Sequence, residues 1–134
     1  MTTAARGWTG PWSMAFAAWS CGLAAFQLAL ALGAPWGAAA WGGQSPGVLP
    51  AGLRAASAVS AVVWPGVAAV AAGAVLGPAG RRRTLLAAAV YASLGVALNA
   101  ASPSTVERAV WVPLTALGAG LAWMGWREAR AARE

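Results

Sequence analysis

Apolar and polar positions fall in long blocks along this chain, not in a short alternation. Runs rich in Ala, Val, Leu and Trp cover roughly residues 11–33, 55–77, 84–100 and 105–126, and nearly all charge lies between them or at their ends. About 20 helical residues cross the hydrocarbon core of a bilayer. In lipid each backbone polar group must find its partner inside the protein, which a helix achieves within one segment. The expected fold is therefore all-α. It is a single bundle of four transmembrane helices spanning 1–134, with an outer loop at 34–54 and a charged tail at 127–134.

Local signals refine these helices. Pro11 suits a first helical position. Residues 34–54 are rich in Gly and Pro and oppose a regular helix. Trp36 and Trp41 in that loop suit the aromatic belt of a membrane interface, as do Trp8 and Trp12 near the start and Trp123 and Trp126 near the end. Pro65 and Pro113 fall inside the second and fourth helices, where a missing N–H kinks the axis. Gly73 and Gly77 are spaced as a small-xxx-small pair in the second helix, and Gly118 and Ala122 make the fourth slim. Ser104 and Glu107 have capping-box spacing, which starts the fourth helix near Thr105.

Composition sharpens the class. The chain is 60% hydrophobic and 9% charged, against about 25% charged in soluble domains. Its net charge of +6 is carried by Arg alone. The arginines sit at helix ends, which argues against a nucleic-acid face. Arg6, Arg81, Arg82, Arg83, Arg127, Arg130 and Arg133 flank one side of the spans, and only Arg54 and Arg108 flank the other. The positive-inside rule then expects both termini in the cytoplasm, in a multi-pass protein of the cytoplasmic (inner) membrane. The Arg81, Arg82 and Arg83 cluster is also a candidate contact for lipid headgroups. Ala29-Leu30-Ala31 resembles a signal-peptide cleavage pattern, but the preceding apolar run is too long, so the first span is expected to be retained.

Missing residue types exclude chemistry. The chain has no His, Asp or Lys, and a single cysteine, Cys21, read as a small buried hydrophobe. Ser-His-Asp and Cys-His nucleophile systems have no basis here. Metal sites need clustered His, Cys or carboxylates, and Glu107, Glu128 and Glu134 all lie outside the spans. A proton-coupled pump needs an ionisable group within the membrane. The chain is thus read as no enzyme, with no metal and no cofactor. What remains is a set of polar and aromatic groups on the outer side: Gln27, Trp36, Trp41, Arg54, Ser57, Ser60, Tyr91, Asn99, Glu107 and Thr115. They either hold the helices together or line a small pocket open to the outside.

LALALGAPWGAAAWGGQSPGVLP, the RRR before the third helix and NAASPSTVERAVWVP resemble a group of small four-helix integral membrane proteins of actinobacteria, over roughly residues 28–113. The resemblance implies the four-span architecture and marks the outer loop and the 99–113 segment as the group's signature. It implies no catalytic residues. Small multidrug pumps share the size, but their first-helix carboxylate is missing here. The expected role is binding a partner subunit or a lipid-like small molecule on the extracytoplasmic side. The alternative is a passive channel or transporter subunit working as a homo-oligomer. Membrane lipid is an expected partner in both cases, and nucleic acid in neither.

Overall fold

The computed structural model describes residues 9–132; Arg6, Trp8, Arg133 and Glu134 lie outside them. Four helices run in order, α1 (Pro11–Leu32), α2 (Ala51–Ala71), α3 (Gly77–Ala100) and α4 (Thr105–Ala131). The described residues contain no strand. Each helix is long and apolar enough to cross a membrane.

α1 and α2 form one hairpin and α3 and α4 another. The hairpins meet mainly through α1 against α4, and of the neighbouring helix pairs α2 and α3 pack most loosely. One end of the bundle carries the start of α1, the α2–α3 turn and the end of α4. The opposite end carries the α1–α2 loop and the α3–α4 turn. These are called the termini end and the loop end.

The termini half is packed closed. Phe16, Leu85, Ala71, Ala89 and Ala122 are fully buried in one apolar cluster, with Trp19 and Trp64 against it. Gly118 allows the closest approach: the Trp19 ring lies 2.5–2.8 Å from where a Cβ would stand. Ser13 and Ser20 are buried in this half, and each hydroxyl donates to a neighbouring acceptor. α1 has no side-chain cap of its own at Gly10. Instead Glu128 of α4 accepts from the Trp12 and Ser13 N–H groups, at 3.1 and 3.0 Å, and from the Ser13 hydroxyl. This cross-helix cap satisfies donors that a helix start leaves open and sets a carboxylate on the positive end of the helix dipole.

Helix ends depart from the expected bounds, most of all around the α2–α3 connection. α2 spans Ala51–Ala71 and α3 begins at Gly77, where 55–77 and 84–100 were expected. The reason is local. Gly73 is left-handed, and the bonds Gly73 N–H to Val70 and Ala74 N–H to Ala69 close α2 in a Schellman motif. Pro78 then opens α3 in its first turn. Gly73 therefore ends α2 and Gly77 opens α3, and they are no helix-packing pair. Arg81, Arg82 and Arg83 lie inside α3 and not in a loop, with Arg81 buried. Gly118 and Ala122 are buried inside the bundle and offer no outer packing surface. α4 runs on into the charged tail as far as Ala131, as its sequence suggests. Cys21 corrects another expectation, for it is exposed on the outward face of α1.

Candidate functional site

The loop end is built from the α1–α2 connection folded onto α4. α1 ends at Gly33, again in a Schellman motif, with Gly33 and Ala34 donating to Leu30 and Ala29. Arg54 reaches back from α2, and its Nε donates to the Ala31 carbonyl at 3.0 Å, which satisfies an end carbonyl of α1. The loop continues through two 3-10 turns, Gly37–Ala39 and Trp41–Gly43. Trp41, Gly42 and Gly43 all adopt positive φ, so the backbone turns sharply over the bundle.

Hydrogen bonds to two helices hold this roof down. The Ser104 hydroxyl donates to Ala38 at 2.8 Å, and the Trp111 indole donates to Ala39. Gly42 N–H donates to a Glu107 oxygen at 3.0 Å, and the other carboxylate oxygen accepts from the Ser102 hydroxyl. Trp41 Nε1 donates to the buried Ser57 hydroxyl of α2 at 3.0 Å. The expected capping box is only half formed. Ser104 Oγ accepts from Glu107 N–H, as a cap should, but the Glu107 carboxylate turns away to the roof. The Ser104 N–H bonds Ser102 Oγ in its place.

Beneath the roof lies a cavity of about 620 Å³. Trp19, Leu23, Phe26 and Gln27 of α1 form one wall, and Trp111 and Thr115 of α4 another. Ser60 and Trp64 come from α2, and Tyr91, Gly95, Leu98 and Asn99 from α3. Trp41, Gly42 and Glu107 close the top. Tyr91 and Leu98 are largely exposed, so the cavity opens sideways between α2 and α3, the most loosely packed of the neighbouring helix pairs. A smaller groove of about 340 Å³ continues from this opening toward the termini end along Val59, Val63, Val67 and Ala87, as far as Thr84.

Seven of the ten sequence candidates thus come together around one space: Gln27, Trp41, Ser60, Tyr91, Asn99, Glu107 and Thr115. Three do not line it. Arg54 caps α1, Ser57 sits beneath the Trp41 indole, and Trp36 stacks on the far side of Phe26 with ring centroids 6.0 Å apart. Sequence reasoning missed the aromatic walls. Trp111 meets Phe26 edge-on at 4.8 Å, and Trp64 lies between Trp19 and Tyr91. The signal was available. Trp19 and Trp64 fall well within spans, away from the interfaces where membrane Trp concentrates, and Trp111 lies nearly two turns into α4. Among the described residues, His, Cys, Asp and Glu form no group of three that could hold a metal ion.

No protein-family model matches the chain, and neither does any curated protein or any solved structure.

Proposed function

We propose that this small membrane protein holds one lipid-like molecule in the loop-end cavity. The single observation that carries the reading is the cavity itself: an aromatic chamber of about 620 Å³ that opens sideways between α2 and α3. Ligand sites are commonly concave spaces of ~300–1,000 Å³ with mostly apolar walls and a few polar groups. A lateral opening suits an occupant that arrives from the bilayer. The closed apolar core of the termini half makes this a one-sided pocket.

Orientation follows from charge. Arg81, Arg82, Arg83, Arg127 and Arg130 gather at the termini end, while Arg54, Arg108 and Glu107 share the loop end. The positive-inside rule then sets the termini in the cytoplasm and the pocket on the extracytoplasmic side of the cytoplasmic membrane. Arg82 and Arg83 are available to anionic headgroups on the inner side, at about 1 kcal/mol each.

Native mass spectrometry of the protein released from nanodiscs made of its own membrane tests the reading. The expected spectrum shows one discrete extra mass per chain. Gly95→Phe projects a ring into the cavity, where a Cβ meets only Thr115 Cγ2 at 3.8 Å, and should remove that mass while leaving the protein folded. An extra mass that survives Gly95→Phe, or none in the wild type, overturns it.

A further inference from the structure

Apart from the charged side chains, Cys21 and the indoles of Trp12 and Trp126 near the termini end (unbonded among the described residues), polar side chains inside the four helices divide into two sets. Ser13, Ser20, Ser57, Ser93, Thr115 and the indoles of Trp19, Trp111 and Trp123 are all hydrogen-bonded. Gln27, Ser60, Trp64, Thr84, Tyr91 and Asn99 enter no side-chain hydrogen bond among the described residues. Every member of this second set lines the cavity or the groove that continues from it. Gln27 makes the point most sharply, since its Oε1 is buried with no partner. A polar group in an apolar medium is costly when unpaired. This bundle pairs its polar groups nearly everywhere else, so the open set marks where a ligand's polar atoms belong.

The same inventory limits what the ligand's head carries. The open groups are two amides, a serine hydroxyl, an indole N–H, at the opening a phenol, and at the far end of the groove the Thr84 hydroxyl. All are uncharged. The nearby arginines are engaged elsewhere, Arg54 on Ala31 and Arg108 on Ser102 and Thr105. The one carboxylate in the wall, Glu107, accepts from Gly42 N–H at one oxygen and from the Ser102 hydroxyl at the other. A phosphate head would meet no free cation in this wall and would face that carboxylate. An ammonium head would find Glu107 only 6% exposed and drawn up into the roof by the Gly42 and Ser102 bonds, so little of its charge is presented to the chamber. Amide and hydroxyl groups beside Trp64, Trp111 and Phe26 instead match an uncharged head with carbonyl or hydroxyl oxygens. The Val59, Val63 and Val67 groove matches an apolar tail lying toward the termini end.

We infer that the cavity takes a neutral amphiphile, an uncharged carbonyl- or hydroxyl-bearing head in the chamber with its hydrocarbon tail in the α2–α3 groove. This rests on the reading of the cavity as a ligand site and specifies its ligand class. An isoprenoid quinone and a diacylglycerol share this chemistry.

The test offers delipidated full-length protein an equimolar mixture of an isoprenoid quinone, a diacylglycerol, phosphatidylglycerol and a cationic lipid, read by native mass spectrometry. Wild type should retain one neutral molecule, and the mass distinguishes quinone from diacylglycerol. Gln27→Leu with Asn99→Leu should weaken its binding on the order of tenfold, with circular dichroism and melting unchanged, for the loss of two hydrogen bonds. Gly95→Phe should abolish it. If a charged lipid is retained and Gly95→Phe removes it, the cavity is a ligand site but this inference is wrong. If the neutral molecule binds and is lost in Gly95→Phe but is undiminished in the Leu pair, the assigned head contacts are wrong. If no lipid in the mixture responds to Gly95→Phe, the ligand-site reading falls as well.

Discussion

Glu107→Ala should detach the roof over the cavity without unfolding the bundle. The Glu107 side chain is only 6% exposed, and no basic side chain among the described residues bonds it. Its carboxylate instead rests on Gly42 N–H, on the Ser102 hydroxyl and on the first turn of α4, whose dipole favours negative charge. Hydrogen bonds to charged groups are worth about 1.5–3 kcal/mol each. Removing both, less the relief of no longer burying a charge, leaves a net cost of about 2–4 kcal/mol. The Ser104 bond to Ala38, the Trp111 bond to Ala39 and the Trp41 bond to Ser57 remain, so Gly42 and Gly43 should lift while Gly37–Ala39 and the Trp41 indole stay down. Hydrogen exchange with site resolution, in nanodiscs, reads this directly. Because each 1.4 kcal/mol is about tenfold in an equilibrium, the Gly42 and Gly43 amides should exchange at least tenfold faster in Glu107→Ala. Amides of buried α3 residues such as Leu85 should keep their rates. Glu107→Gln retains one acceptor and should fall between. Gly42 exchange within twofold of wild type would refute the reasoning, and faster exchange everywhere would mean that Glu107 supports the whole fold.

Glu128→Ala removes the cross-helix cap of α1 and should lower stability by about 1–2 kcal/mol, judged from caps and helix-dipole effects; unfolding in mixed micelles measures it, and an unchanged midpoint contradicts the cap. Gly118→Leu drives a side chain into the Trp19 ring and should cost at least about 1–3 kcal/mol as an overpacked core, whereas Gly120→Leu, where a Cβ meets no neighbour within 4 Å, should be near neutral; equal melting of the two variants would contradict the packing. Trp41→Phe deletes the indole bond to Ser57 and should cost about 1–2 kcal/mol by stranding a buried hydroxyl, seen as faster exchange at Trp41 to Gly43. In a Cys21→Ser background, Gln44→Cys should label with an impermeant maleimide from outside intact cells and Ala132→Cys only after permeabilisation; the reverse pattern would overturn the assigned orientation.

Much of the architecture was legible along the chain because the bilayer imposes a length and a composition on each span. The four runs, the loop, the start of α1 at Pro11 and the Ser104 cap of α4 follow from local chemistry that one stretch of residues contains. Gly73 shows where local reading stops. A glycine in an Ala-rich run looks the same whether it packs a helix or ends one, and only its left-handed conformation, with two backbone bonds, separates the cases. The α3 arginines are similar, since Pro78 opens that helix before them.

The site was legible as a list of polar residues near one end but not as a space. In a soluble protein the apolar stripe of a helix reveals its buried face. Here lipid and core are both apolar, so the pattern cannot say which side of α2 faces α3. Tertiary packing decided that α1 and α4 close together over Gly118 while α2 and α3 stay apart, which opens the chamber between Trp64, Trp111 and Gln27. It also decided that Glu107 leaves its capping box to hold Gly42, and that Glu128 caps a helix 115 residues away in sequence. These contacts depend on how separate segments meet in space, and hydropathy along one segment carries no record of that meeting.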